Sequence, residues 1–288
     1  MIVKKILTHP GGAHKDEFLA CCVLLASHPV AIVRREPTDL DLSDPSICVV
    51  DVGHEHAPER HNFDHHQFPK DHTPTCSLSL VLQHLNLYED AKQFCEWLEP
   101  AEWFDCRGAN DTAAKLGVPR EVINQLNSPI DVTLLRRFAQ CTAVEPGDPV
   151  WEVMRMVGED LLSYVSSLRE RLDFIERHAE IWDLEVSGQA FKVVFMPRTD
   201  PLPEEPSMAI HRYVENHEHA NEVAGLVYPD RRGGGHGLSR FNDDQRLDFT
   251  RIGSDPDVHF SHARGFVAKT SATEVIRLKE LVIKAWVE

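Results

Sequence analysis

Two short apolar runs, each ending in a potential ligand, limit what this chain can fold into. "IVKKILTH" (2–9) is rich in β-branched residues and stops at a Pro-Gly-Gly turn, and "ICVVDVG" (47–53) is almost wholly apolar up to its aspartate. An apolar run without polar alternation is what a strand buried on both faces requires. Between them, "HKDEFLACCVLLASH" keeps its apolar residues at helical spacing, and "VAIVRRE" (30–36) reads as a further short strand. The alternation predicts an α/β domain with a mostly parallel sheet, an architecture in which ligands gather beyond the carboxyl ends of the strands. His9 and Asp51 both lie at such ends, on one rim.

Further along, 76 to 187 reads as mostly helical, with "SLSLVLQHLNL", "DAKQFCEWLEPAEWFD", "REVINQLN" and "DVTLLRRFAQCT" separated by Gly, Pro and Asn breaks. Helical periodicity is sustained over 149–187, as in a long connector. Strand, helix and strand patterns return in "AFKVVFMP", "SMAIHRYVENHEH" and "EVAGLVYPD". A glycine-rich turn, "RRGGGHGLSRF", and a closing amphipathic helix, "SATEVIRLKELVIKAW", follow. The expected organisation is an α/β domain at 1–148, a helical connector at 149–188 and a smaller α/β domain at 189–288.

With 288 residues, 42% of them hydrophobic, the chain can bury a full core. Its longest apolar run, "FLACCVLLA", is far short of a membrane span, and "MIVKKILTHP" lacks the long apolar core of a signal peptide. A cytoplasmic location and no membrane partner are the expectation. Seven cysteines, an odd number without a CxxC pair, fit a reduced compartment better than a disulfide framework or zinc ribbon. A net charge of −16 argues against broad clamping of duplex DNA. Anionic substrates stay open to such a chain if metal ions supply positive charge.

Four segments of the first domain carry candidate ligands: "THPGGAHKDE" (His9, His14, Asp16), "VVDVGHEH" (Asp51), "FDHHQ" (Asp64, His65, His66) and "WFD" (Asp105). Each is weak alone, since isolated histidines are more often solvated or hydrogen-bonded structural residues. Jointly they gain weight, because His9, Asp16, Asp51 and His65 all fall at or just after strand ends of one sheet. Mixed imidazole and carboxylate sets suit hard or borderline divalent ions, Mn2+ first and Zn2+, Fe2+ or Mg2+ as alternatives. A carboxylate at a strand end can bridge two such ions, and Asp51 is the candidate bridge. Glu99, Glu102 and Asp111 compete with Asp105 for its role, and His61 is left as a solvated or locally hydrogen-bonded residue.

The order H...D, a D closing an apolar strand, DHH and a later D resembles the DHH phosphoesterase superfamily of RecJ-type exonucleases, oligoribonucleases and manganese pyrophosphatases. Within it, "THPGGAHKDE" with "VVDVGHEHAPERHNFDHHQ" is similar to the melanocyte-proliferating-gene family. That family was long labelled "metal-dependent protein hydrolase" and later associated with RNA exonuclease activity. The closing "VHFSHARGFVAKTSATEVI" resembles it as well. The resemblance implies a DHH-type first domain with two metal ions. His9, His14 and Asp51 would hold one, and Asp16, Asp51, His65 and Asp105 the other. His66 would contact the scissile phosphate, and Asp64 would orient a neighbouring histidine.

In the second domain, "GGGHG" (Gly234, Gly235, His236) and "SHARGF" (His262, Arg264) combine glycine amides with His and Arg, a composition suited to phosphate. Either His236 or His262 could be the substrate contact. The rival reading of "RRGGGHG" is an exposed hairpin loop. The whole reads as a metal-dependent hydrolase that uses a two-metal-activated water on phosphodiester bonds of short oligonucleotides, with His66, Asp64 and Asp51 as the catalytic group. The expected partner is a phosphate-containing small molecule or short single-stranded nucleic acid; the sequence leaves the oligomeric state open, with a homodimer among the options. An inorganic pyrophosphatase or nucleotide phosphatase, and a non-catalytic metal-binding regulator, are the rival readings.

Overall fold

Residues 5–8 form the central strand β1 (Lys5–Thr8), and the alternation of their side chains explains why the run had to be apolar throughout. Ile6 of β1, with Cys48 and Val50 of β3 (Ile47–Val50), packs beneath α1 (Lys15–Ser27) and α3 (Ser77–His84). Leu7 of β1, with Ile47 and Val49, faces the other way onto Leu42 of α2 (Asp39–Ser43). The computed structural model describes residues 2–125, 128–201, 206–215 and 220–287. It divides into two compact units, Met1–Ser167 and Leu168–Glu288, both α/β.

In the first unit, β2 (Ile32–Arg34), β4 (His56–Ala57), β5 (Asn62–Phe63) and β6 (Ala143–Val144) complete a six-stranded sheet of order β4-β5-β3-β1-β2-β6. β5, β3, β1 and β2 run parallel, and the edge strands β4 and β6 are antiparallel to their neighbours. Helices α4 (Tyr88–Phe94), α5 (Leu98–Leu116), α6 (Arg120–Gln125) and α7 (Pro129–Ala139) follow, and α8 (Pro149–His178) runs across the boundary between the units. The end of the expected helix "REVINQLN", at 126 and 127, lies outside the described residues. Gly158 lets α8 approach α1 closely, since a Cβ at that position would overlap the Cys22 carbonyl.

Glu17 and Arg34 brace the rim of this sheet. Their side chains are 0% and 1% exposed, and an Arg34 nitrogen lies 3.0 Å from Glu17 Oε1. The same guanidinium donates to the carbonyls of Gly11 (3.2 Å), Gly12 (2.9 Å) and Phe138 (3.1 Å), and it covers the Phe138 ring at 4.5 Å. Glu17 Oε2 accepts from the His14 amide at 2.8 Å, so one ion pair ties the Pro-Gly-Gly turn, the start of α1 and the end of β2. An acidic side chain at this place in a helix also satisfies a backbone donor that the helix itself cannot.

The second unit differs from the sequence expectation at its start. α8 ends at His178, and 180–186 is strand β7 (Glu180–Val186), not the tail of a helix. Trp182 and Leu184 are buried while Asp183 and Glu185 are exposed, a period of two. Ser187 and Gly188, both with positive φ (53° and 79°), close a hairpin onto β8 (Gln189–Phe195), as a two-residue turn matched to strand twist demands. After α9 (Pro206–Glu215) come β9 (Val223–Pro229), β10 (His236–Arg240), β11 (Val258–Ser261), β12 (Val267–Thr270) and α10 (Val275–Ala285). The last part of the expected helix "SMAIHRYVENHEH", 216–219, lies outside the described residues. The sheet order is β11-β12-β10-β9-β8-β7, and β8 with β9 is its parallel pair. No helix among the described residues is long and apolar enough to cross a membrane.

Two substitutions probe this framework by urea unfolding of the full chain. Arg34→Met leaves Glu17 buried without its partner and is expected to cost about 3–5 kcal/mol. A loss below about 1 kcal/mol would mean that the pair is not a brace. Gly158→Ala is expected to cost about 1–3 kcal/mol by forcing α8 away from α1; unchanged stability would contradict the close approach.

Candidate metal centre

The parallel strands deliver their following residues to one rim. His9 comes directly after β1, Asp51 directly after β3, and Asp64, His65 and His66 directly after β5. The two-residue β5 has no counterpart in the sequence reading, yet its pairing with Val49 and Val50 brings "DHH" beside Asp51. His14 is the residue preceding α1, Asp16 lies in its first turn, and Asp105 is on α5. Asp51 has φ 58°, a left-handed conformation that a non-glycine residue adopts at a cost of the order of 1–3 kcal/mol. Its amide donates to the Phe63 carbonyl at 3.1 Å, and its Oδ1 accepts from Ser77 Oγ at 3.0 Å, so the strained residue is held from two sides.

All six residues expected to hold metal converge. His65 Nε2 lies 3.1 Å from Asp51 Oδ1 and 3.0 Å from Asp105 Oδ2. His9 Nδ1 donates to the Pro10 carbonyl at 2.9 Å, which aims Nε2 at Glu17 (2.7 Å) and Asp51 (3.5 Å). His14 Nδ1 stands 4.0 Å from both Glu17 and Asp105. His66 Nδ1 is 2.7 Å from Asp64 Oδ1, and Asp64 also accepts from the His54 and His66 amides at 2.7 and 3.0 Å. Four groups of donor atoms lie within 4.8 Å of one another: His9, His14, Glu17 and Asp51; Asp51, His65 and His66; His65, Asp105 and Cys106; His14, Asp16 and Asp105. Asp16 and Asp51 are buried at the base, whereas the His14 and His66 side chains are 64% and 51% exposed at the mouth.

The electrostatics favour a cation at this rim. Burial, then the charges of Asp51 and Asp105, push the Asp16 carboxyl well above the usual carboxylate range. Burial also opposes charge on Asp51, but His65 and then His9 outweigh it and hold Asp51 well below that range. Asp51 and Glu17 raise His9 to about 10. Burial opposes charge on His65, yet Asp105 and Asp51 raise it to about 12. Although His65 Nε2 is close to both carboxylates, neither contact has hydrogen-bond direction. Both oxygens of Asp16, Oδ2 of Asp105 and Nε2 of His65 are buried and take no hydrogen bond. Unpartnered buried polar atoms are costly, and four of them in one cluster of imidazoles and carboxylates fit divalent cations. A divalent charge would draw these carboxyls to their ionised form and these imidazoles to neutrality.

The geometry also separates the competitors for Asp105. Glu102 is buried elsewhere, accepting from Ser79 (2.5 Å) and Tyr88 (2.8 Å), Glu99 pairs with Lys115 at 3.2 Å, and Asp111 is exposed. His61 Nδ1 donates to the Pro45 carbonyl at 2.7 Å, a local structural bond. The sequence reading passed over Glu17, Arg34, Ser77 and Cys106, whose Sγ sits 3.8 Å from His65 Nδ1. Glu17 alone had a signal, its position three residues into the helix after a polar residue.

In the second unit the glycine-histidine residues do not form one cluster. His236 is on β10, 1% exposed, with Nδ1 donating to the Ala272 carbonyl at 3.0 Å and its Nε2 buried without a hydrogen bond. Gly234 has φ 74° and turns the chain, while Gly235 has no room for a Cβ because the Thr270 carbonyl occupies that space. The Gly235 carbonyl accepts from the Asp230 amide at 2.8 Å and from Arg198 at 3.3 Å. His262 and Arg264 belong to the β11–β12 hairpin turn. His236 pairs with Thr270 and His262 with Val267, so they mark opposite ends of β12, about 10 Å apart along the strand.

Residues 5–86 match the family model MYG1_exonuc, described as "Uncharacterised protein family (UPF0160)". Over 71 residues the chain is 49% identical to the MYG1 exonuclease of Rattus norvegicus, and 48% identical to those of Bos taurus and Homo sapiens. That stretch is 23% of this chain and spans 18% of the length of each relative. The segment matched by the family model contains His9, His14, Asp16, Asp51, Asp64, His65 and His66, while Asp105 and the second unit lie beyond it. Across the segment that builds most of the candidate metal centre, this chain is similar to the MYG1 exonucleases.

Proposed function

We propose that this chain is a divalent-metal phosphodiesterase of the DHH type, acting on short single-stranded oligonucleotides. Two Mn2+ ions would be held by His9, His14 and Asp51 and by Asp16, Asp51, His65 and Asp105, donors that also accept Zn2+, Fe2+ or Mg2+. One observation carries the reading: buried, unpartnered atoms of Asp16, His65 and Asp105 meet the strand-end carboxylate of Asp51 at one rim. When bound, the ions would supply Lewis acidity toward a phosphate and an acidified water.

The side chains of this chain have distinct parts in that chemistry. Asp51, fixed by Ser77 and by its own backbone conformation, offers both carboxylate oxygens to the rim. Asp64 fixes the His66 ring through Nδ1, which leaves Nε2 of this half-exposed side chain to meet a phosphate oxygen. Glu17 holds the amide of His14 in place while its other oxygen stays on Arg34, and the Pro10 carbonyl, by accepting from Nδ1 of His9, leaves Nε2 of that ring to the ion. Water is the nucleophile in this scheme, and no serine or cysteine nucleophile is required. The exonuclease name carried by the relatives supports nucleic acid as the substrate class.

The full chain with Mn2+ is expected to release nucleotides from short single-stranded RNA or DNA. Chelation by EDTA and Asp51→Asn should each abolish turnover, with Asp51→Asn also losing bound metal by elemental analysis. Asp64→Asn is expected to retain the fold and lose about 10–100-fold in activity, the range for a residue that orients a ligand's neighbour. Metal uptake without turnover of any phosphodiester would favour a regulatory protein, and turnover of pyrophosphate alone a pyrophosphatase; either overturns the proposal.

A further inference from the structure

The β11–β12 hairpin exposes an aromatic row that neither the core nor the candidate metal centre uses. Phe260 and His262 are two residues apart, so along an extended strand they share a face. Across the turn, the Phe266 ring lies 4.1 Å from the His262 ring, and Phe260 stands at 6.5 Å in an edge-on arrangement. Phe260 and Phe266 are 44% and 38% exposed, whereas Trp182, Phe191 and Phe195 of the same sheet are each 3% exposed. Leaving two phenylalanines in water on one hairpin forgoes hydrophobic stabilisation that burial elsewhere would provide.

The row is held in a set geometry. The His262 amide donates to the Val267 carbonyl at 2.9 Å, and the Gly265 amide donates to the His262 carbonyl at 2.8 Å. Gly265 takes φ 72°, which closes the turn. Ser261 Oγ donates to the Phe249 carbonyl at 2.9 Å and anchors the strand from below. The Arg264 amide donates to His262 Nδ1 at 3.1 Å, which leaves Nε2 of the ring as its N–H. Arg264 is exposed at the tip, and among the described residues its guanidinium makes no ion pair.

Two exposed phenylalanine rings flanking a tilted imidazole, with an imidazole N–H and a guanidinium beside them, form a combination with a specific chemical complement. Nucleobases stack on such rings whatever their identity, and the guanidinium and the imidazole N–H meet the sugar-phosphate backbone. A second copy adding by strand pairing fits less well: β11 is an edge strand, but its register with β12 slips between Val258 and Phe260, and an edge irregularity of this kind blocks a continued ladder. We propose that the 260–266 hairpin is a stacking platform for the unpaired bases of single-stranded nucleic acid. The choice of ligand rests on the phosphodiesterase reading above; the platform adds Phe260 and Phe266 as the residues that hold bases.

The test is fluorescence anisotropy of the full chain in EDTA with a labelled single-stranded RNA pentamer and an abasic oligomer of equal length. The base-containing strand should bind at least about tenfold more tightly, and Phe260→Ala and Phe266→Ala should each weaken it by about 5–100-fold while leaving abasic binding unchanged. Phe266→Trp keeps a larger ring and should retain affinity, which separates lost stacking from misfolding. Equal affinity for the two strands, or alanine variants that bind like wild type, would overturn the platform. So would sedimentation showing that the alanine variants only dissolve a dimer. Turnover of bis(4-nitrophenyl) phosphate by the wild-type chain with Mn2+ is measured alongside. Its failure with base-dependent binding intact would sink the phosphodiesterase reading and leave the platform standing.

Discussion

The buried ion pair of Glu17 and Arg34 is the contact on which the rim of the first unit depends. A pair this dry is worth little against a hydrophobic alternative, because desolvation offsets most of its attraction. Its value here lies in what it connects. Arg34 takes the Gly11 and Gly12 carbonyls and so fixes the turn after β1, while Glu17 takes His9 and the His14 amide just before α1. Without it, His9 and His14 would hang on a turn in which Gly11 and Gly12 have no side chain to pack. The glycines allow the turn, and the ion pair selects one conformation of it.

Behind that brace, the site follows from four parallel strands whose carboxyl ends point the same way. The ends of β1, β3 and β5 each contribute a donor, so residues 9, 51 and 65 meet although they are far apart in sequence. The cost is concentrated negative charge, in which Asp16 cannot comfortably ionise and Asp51 does so only beside two histidines. Divalent cations, as proposed, would resolve this conflict, and the strained backbone of Asp51 is a further cost that a functional position can sustain. The phosphodiesterase reading grows from that balance of charge, not from the similarity alone, which covers only 5–86.

Much of this was legible in the residues because apolar runs leave few choices. β1 and β3 had to be buried on both faces, and that fixed His9 and Asp51 on one rim. Other parts hid for physical reasons. β5 is two residues long and half polar, so only pairing with β3 makes it a strand. β7 was absorbed into the preceding helix because a short alternating run also satisfies helical spacing in places; the Ser-Gly turn after it is what decides. His236 sits in a glycine-rich stretch that reads as an exposed loop, yet Gly235 is there for close packing under Thr270, and the histidine is buried with it. Glu17 looked like an ordinary helix-start acid, and its pairing with Arg34, from a strand 17 residues away, has no sequence signature.

The central claim is that the rim of the first unit holds two divalent ions bridged by Asp51. Anomalous diffraction at the manganese edge, from crystals grown with Mn2+, tests it most directly. The account requires two peaks, one ligated by His9, His14 and Asp51 and the other by Asp16, Asp51, His65 and Asp105. Ordered manganese only elsewhere on the protein, or none at saturating Mn2+, would contradict it.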